Sequence, residues 1–446
     1  MNTLQVRLTT LRDMFTLFGV LFYMQVISFF SSLGNASSLD DAQRDLEGNV
    51  VNQVCGLITL LVPLFFFIRH KVFLSKSFYR QNAFLLLFVL CVAASISWSQ
   101  DPVLSLKRFV ALMSVVFFGG YVAYNYSLEK ISFMLGCTLG VAALIGLICA
   151  LILPDIAFIS GGIRDGAFKG IFPEKNAGAR INAIAIVLLL PMIRRHNPWA
   201  IFSALCSLVA IGLAQSATGL ALICAGSASY WYFLTMIRLR INRSLLAFFA
   251  TTVLYLLICL FLYGNYTLLL EMVGRDPSLT DRLQIWELLA PFIDAEFVRG
   301  YGFGAFWSSP DADAFITRWG YIGNAHSGYM ETLLNGGVVQ LTALGLMLAE
   351  ALVKQYRAVT AGQSAQYRAS ALVIIGLFIV TNYVAYVIPN YRSAEFLVFC
   401  ILALSFRHHH AGRSVARRSA ELQPKAQRSV YSGASARVVA KEKDPC

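Results

Sequence analysis

The chain has 446 residues, of which 57% are hydrophobic and 13% charged, with a mean hydropathy of +0.64. Soluble proteins average about 25% charged residues, so half the usual charge is missing, which excludes a disordered chain, a disulfide scaffold, a coiled coil and an ordinary soluble enzyme. The net charge of +12 is spread between apolar runs as a topology signal of a membrane protein, and does not point to nucleic acid as a partner.

A helix needs about 20 mainly apolar residues to cross roughly 30 Å of hydrocarbon. Twelve such runs are present, with cores at 14–33, 51–68, 81–98, 109–126, 132–153, 177–193, 199–214, 218–236, 245–264, 330–349, 369–387 and 392–406. The expected fold is an all-α polytopic membrane protein. Arg7 and Arg12 before the first run also suit a signal peptide, but the run is long enough to read as an uncleaved anchor. Cytoplasmic loops retain Lys and Arg preferentially, and an N-in arrangement places two-thirds of the 36 basic residues there, with most of the 24 acidic ones opposite. Both termini are therefore expected in the cytoplasm. The cysteines lie in or at the ends of the runs, apart from the terminal Cys446, so no disulfide is expected; no CxxC or Cys/His spacing suggests a metal site.

These runs divide the chain into nine transmembrane helices over 1–264, an outer loop at 265–329, three more helices over 330–406 and a tail at 407–446. The tail is rich in Arg, Ser, Ala and Lys and is expected to be disordered, next to anionic membrane lipids. Its His408 to His410 triplet reads as incidental polarity.

Candidate chemistry falls on the outer side. GGIRDGAFKGIFPEKNAGARINA at 161–183 gathers Arg164, Lys169, Lys175 and Arg180 where cations are disfavoured. They call for an anionic partner, either lipid headgroups or a substrate. Loops as long as 265–329 are usually functional or disordered, and this one is too aromatic for disorder, with Trp286, Phe292, Phe297, Tyr301, Phe303, Phe306 and Trp307 among its residues. GRDPSLTDRLQIWELLAPFI reads as a surface helix: Ser278 and Asp281 have capping-box spacing, and Leu279, Leu283, Trp286, Leu289, Ala290 and Ile293 recur at helical intervals. Arg282 lies on or beside that stripe. It either snorkels to headgroups or grips an anionic ligand in bidentate fashion. RGYGFGAFW at 299–307 has a GxG without the strand and helix of a nucleotide site, so a tight turn with aromatic packing is expected.

His326 is the one histidine on the proposed outer side and opens the tenth run. On a continuous helix it would share a face with Tyr329, Met330, Leu333 and Gly337, with Glu331 about 140° away and one turn deeper. A carboxylate just inside a hydrocarbon boundary is costly and usually functional, whereas His326 alone suits equally an interfacial histidine with a satisfied hydrogen bond.

Four stretches together resemble the O-antigen ligase and polysaccharide polymerase superfamily, most closely its exopolysaccharide-polymerase branch of ExoQ-like, Wzy-type proteins. They are WSQDPVLSLKR at 98–108, GIFPEKNAGA at 170–179, GRDPSLTDRLQIW through GYGFGAFW at 274–307, and AHSGYMETLLNGG at 325–337. The resemblance implies metal-independent glycosyl transfer without a cofactor on the periplasmic face of the bacterial inner membrane. Its substrates would be undecaprenyl-diphosphate-linked oligosaccharide and a sugar acceptor, with a chain-length regulator as a further partner. By that likeness Arg282 holds the diphosphate and His326 acts on or positions the acceptor hydroxyl; Glu331, a carboxylate just inside the hydrocarbon boundary, is a further catalytic candidate on its position alone. Lys175, Asn176, Arg180, Arg275 and Arg164 are candidates for binding the diphosphate. The chain departs from the pattern at Glu174, Asp281 and Gln340, and has SATG at 216–219 where ligases often have Ser-Arg-Gly, which favours polymerase over ligase.

The residue types suit this chemistry on physical grounds alone. A departing lipid diphosphate needs cationic stabilisation, and the attacking hydroxyl needs a base with a near-neutral pKa. A transporter or flippase is the rival reading, but no internal repeat is visible and Glu331, Glu350 and Glu395 lie near span ends instead of at mid-membrane.

Overall fold

A computed structural model of the protein describes residues 2–32, 50–159, 166–239, 280–320, 322–361 and 364–404. The described residues are predominantly helical and contain no strand, only an isolated bridge between Phe158 and Phe168. Among the described residues, seven helices are long and apolar enough to cross a membrane: Val50–Arg69, Pro102–Asn125, Leu128–Ile152, Lys175–Ile193, Ala217–Arg238, Gly328–Thr360 and Ala365–Val384. Ala83–Trp98, Pro198–Leu213 and Ala394–Ala403 are shorter apolar helices. Each coincides with a predicted run. The molecule is an all-α polytopic membrane protein.

The first run behaves differently. Expected as one span at 14–33, it forms two helices, Asn2–Tyr23 and Val26–Ser32, with Gln25 between them at φ 68°. That left-handed turn interrupts the helical hydrogen-bond ladder, and the Gln25 amide donates to the Arg392 carbonyl at 3.1 Å. The ninth run, 245–264, the Ser278 cap and the tail lie outside the described residues.

Hydrogen bonds sort the helix ends into two groups. At one end Asp13 accepts from Tyr126 and Lys130, Glu129 accepts from Arg195 and Tyr367, and Lys354 donates to Asn82 and the Ala403 carbonyl. At the other, the Gly328 N–H donates to the Ala385 carbonyl, Arg180 meets Glu395, and Ser105 donates to the Phe303 carbonyl. Consecutive spans alternate between these groups, as short connections require.

Lys175–Ile193 is the central helix, with most of its residues buried, and it packs on Leu128–Ile152, Pro198–Leu213, Ala217–Arg238 and Ala365–Val384. Lipid tails are as apolar as leucine, so close backbone approach has to supply what the hydrophobic effect does not. Gly226 illustrates this: a Cβ there would lie 2.7 Å from Val187 Cγ2.

The 328–360 helix breaks at Gly336 and Gly337, the latter at φ 61° and ψ −163°. A break at membrane depth frees backbone groups that lipid cannot satisfy, and is tolerated where protein covers it. Here the 297–302 loop supplies the missing partners. The Tyr301 N–H donates to the Leu334 carbonyl at 2.8 Å, the Gly302 N–H to Asn335 at 3.0 Å, and the Val338 N–H to Phe297 at 2.8 Å. A Cβ on Gly337 would fall 2.3 Å from the Val298 backbone, so this contact admits only glycine.

Candidate active site

Two motif stretches build the floor of the site by gripping a third. The backbone of 299–304 turns through positive φ at Gly300, Gly302 and Gly304, which fulfils the expected tight turn. From its other side the 95–108 segment holds it. Trp98 Nε1 donates to the Arg299 carbonyl at 2.9 Å, the Gln100 N–H to Tyr301 at 3.1 Å, and the Phe303 N–H to Ser95 Oγ at 3.2 Å. Arg108 donates to the Gly304 carbonyl. Asp101 caps the helix that carries Arg108, its carboxylate accepting from the Leu104 N–H with Pro102 in the first turn. Tyr301, Phe306, Trp307, Phe315, Leu289 and Ile293 then close into one apolar cluster.

That cluster seats the helix Thr280–Ala295. Its inward stripe runs through Trp286, Leu289 and Ile293, while Leu283 and Ala290, which the periodicity placed on the stripe, are exposed. Arg282 is half-buried and stands one turn before Trp286 on the same face. Trp286 Nε1 donates to the Ala325 carbonyl at 2.9 Å, and its ring meets Tyr383 edge-on at 5.2 Å. The helix carrying Arg282 is thereby tied to the residue just before His326.

His326 itself does not lie on a helix. The expected helical face shared with Tyr329 and Gly337 is corrected: the helix starts at Gly328, Ser327 is its cap, and His326 sits in a left-handed turn at φ 50°. The cause is the network around it. Ser327 Oγ accepts from the Met330 N–H at 3.4 Å, the His326 N–H donates to Asn324 Oδ1 at 2.9 Å, and Gly328 abuts Asn382, where a Cβ would meet Oδ1 at 2.1 Å. Glu331 is buried. Its Oε2 accepts from the Ala325 N–H at 2.8 Å and from Trp307 Nε1 at 3.2 Å.

A second cluster lies at the start of the central helix. Lys175 and Asn176 occupy its first turn, and Asn176 Oδ1 accepts from Ser216 Oγ at 3.1 Å. SATG at 216–219 thus touches the Lys-Asn pair directly. Lys169, Lys175 and Asn182 line a small cavity with Phe172 and Gly178, and Asn182 Oδ1 is buried without a hydrogen-bond partner among the described residues. Arg180 is committed elsewhere: its Nε lies 3.2 Å from Glu395 Oε1, with both side chains largely buried, and Ser393 also donates to Glu395 at 2.8 Å. Arg164 and Arg275 lie outside the described residues.

The connection 382–395 reaches both clusters. Asn382 and Ala385 touch Ser327 and Gly328, and Glu395 takes Arg180. His326 and Glu331 therefore meet at Ala325, which also bonds Trp286, one turn after Arg282 on its helix; Lys175, Asn176 and Arg180 lie at the same end of the bundle. Tyr386, in that connection, was not singled out from sequence. Burial, then the Glu331 carboxylate and Tyr391, push its phenol well above the usual range, against the opposing pull of Arg108 and Arg392. It remains protonated at neutral pH. Nothing in its local pattern marks it, because Glu331 and Arg108 arrive from two other segments.

Breaking a buried ion pair from one side costs about 3–5 kcal/mol. Arg180→Ala is expected to lower thermal stability in detergent strongly, and Arg180→Ala with Glu395→Ala to recover much of the loss. Unchanged stability in the single variant, with activity gone, would instead assign Arg180 to substrate.

A search of curated proteins returns no match to the chain. The O-antigen ligase family, Wzy_C, matches residues 202–345, a stretch that contains Arg282, His326 and Glu331 and begins after Lys175, Asn176 and Arg180. That segment is similar to the O-antigen ligase family, which agrees with the resemblance carried by the sequence stretches.

Proposed function

We propose that the protein is an inner-membrane polysaccharide polymerase that joins undecaprenyl-diphosphate-linked oligosaccharide repeat units on the periplasmic face by inverting, metal-independent glycosyl transfer. The family match supports a membrane enzyme of the ligase or polymerase type acting on lipid-linked glycans. The observation that carries the reading is the Trp286 to Ala325 hydrogen bond, which seats the helix of Arg282 against the turn of His326.

In this mechanism Arg282 holds the diphosphate of the donor, assisted by Lys175 and Asn176. His326 takes the proton of the acceptor hydroxyl as that oxygen attacks the anomeric carbon. The bond from this carbon to the diphosphate oxygen breaks, and the carrier departs with the electron pair, its charge matched by guanidinium and ammonium groups. One displacement inverts the anomeric configuration.

On this reading both termini and the 407–446 tail are cytoplasmic and 265–329 is periplasmic; reporter fusions at these two places would read opposite compartments. Transfer to a lipid A-core acceptor is the second reading. Polymerase is favoured because SATG at 216–219, which touches the Lys-Asn pair through Ser216, has no Arg where ligases often carry one. Vesicles holding the purified protein and lipid-linked repeat units separate the cases. A ladder of lengthening glycan without added acceptor supports a polymerase, product only with lipid A-core supports a ligase, and movement of donor across the bilayer without a new bond supports a transporter.

A further inference from the structure

The Ala325 peptide is held from both sides by side chains that come from different parts of the chain. Its carbonyl accepts from Trp286 Nε1 at 2.9 Å, and its N–H donates to Glu331 Oε2 at 2.8 Å. The carbonyl belongs to the same peptide unit as the His326 N–H, which donates to Asn324 Oδ1 at 2.9 Å. Both peptide planes leading into His326 are thus pinned. Ala325 is fully buried, so water cannot replace either partner. His326 has φ 50°, a conformation that a residue with a side chain keeps only where its surroundings over-determine it.

We propose that Glu331 and Trp286 are positioning residues that clamp Ala325 and thereby hold His326 in its left-handed turn, and that Glu331 itself performs no proton transfer. Two features of the carboxylate support this. Its bonds to Ala325 and Trp307 end on one oxygen, Oε2, and both are accepted, so they use lone pairs alone. The amide oxygen of a glutamine also has two lone pairs and can accept both bonds. Trp286 contributes its N–H from the helix of Arg282, so one clamp sets the histidine and registers the arginine helix against it.

The inference rests on the reading of His326 as the group that serves the acceptor, and the test separates the two. Hydrogen exchange of the Ala325 amide reports the clamp without any reference to activity, and polymer formation in vesicles reports the chemistry. Glu331→Gln is expected to keep the Ala325 amide protected, to retain kcat within a few-fold and to leave the midpoint of the pH profile in place. Glu331→Ala is expected to lose that protection and to lower kcat at least tenfold with little change in KM for the donor. Trp286→Phe keeps an aromatic ring against Tyr383 while removing the donor along with part of the ring; a kcat loss of roughly tenfold is expected, with the Ala325 amide still protected by Glu331.

Glu331→Gln as inactive as Glu331→Ala, with its Ala325 amide still protected, would overturn the proposal and make the carboxylate a chemical participant. Loss of protection in Glu331→Gln would also overturn it. If Glu331→Ala fails to reach the membrane, Glu331→Gln and Trp286→Phe decide alone. If wild-type protein makes no glycan bond, the enzymatic reading fails while amide protection still shows whether the clamp exists.

Discussion

Alanine in place of His326 is expected to lower turnover by about 100-fold or more, the usual contribution of a positioned general base. Its imidazole is the ionisable side chain in the turn that Trp286, Asn324 and Glu331 hold in place, and that turn stands beside the helix of Arg282. Donor binding is expected to change little, because cations and not imidazole hold the diphosphate. The neutral ring is the active form, so the wild-type rate should rise with pH as the imidazole loses its proton. That rise should vanish in His326→Gln. If the glutamine variant keeps most of the activity and the wild-type profile, His326 orients the sugar without accepting its proton, and a near wild-type rate in His326→Ala would remove it from the chemistry.

Arg282 carries the second large effect. Arg282→Ala is expected to abolish product while the protein still inserts into the membrane, since the apolar face of its helix is built by Trp286, Leu289 and Ile293 and not by the arginine. Arg282→Lys is expected to rescue poorly, because an ammonium is a point charge and cannot reproduce the planar two-pronged grip of guanidinium on phosphate oxygens. Donor binding measured alongside turnover locates the defect. Full activity in the lysine variant would mean that Arg282 merely reaches lipid headgroups.

Much of this arrangement was legible in the residues because it depends on local periodicity. Apolar runs mark the spans, and Trp286, Leu289 and Ile293 mark the inward face of the loop helix, from which the side of Arg282 follows. The glycines of 299–304 announce a turn. What could not be read depends on partners from distant segments. Gly336 and Gly337 look like ordinary small residues of a membrane helix, and their break is stable only because 297–302 supplies its hydrogen bonds. His326 leaves the helix because Asn382, Asn324 and Ser327 compete for its backbone and that of its neighbours. Glu331 looked like an intramembrane carboxylate in search of a role, whereas Ala325 and Trp307 already occupy one of its oxygens. Arg180 counted as a cation seeking an anion; Glu395, 215 residues later, supplies one.

The most direct measurement is the chemistry of a single bond. Purified protein is given one species of undecaprenyl-diphosphate-linked repeat unit with a metal chelator present, while released carrier diphosphate is quantified and the anomeric configuration of the new linkage is determined by NMR. The expected result is one carrier diphosphate released per bond formed, an inverted linkage, and a rate unaffected by the chelator and lost in Arg282→Ala. A retained configuration, a requirement for metal, or bond formation that survives in both Arg282→Ala and His326→Ala would contradict single-displacement transfer at this site.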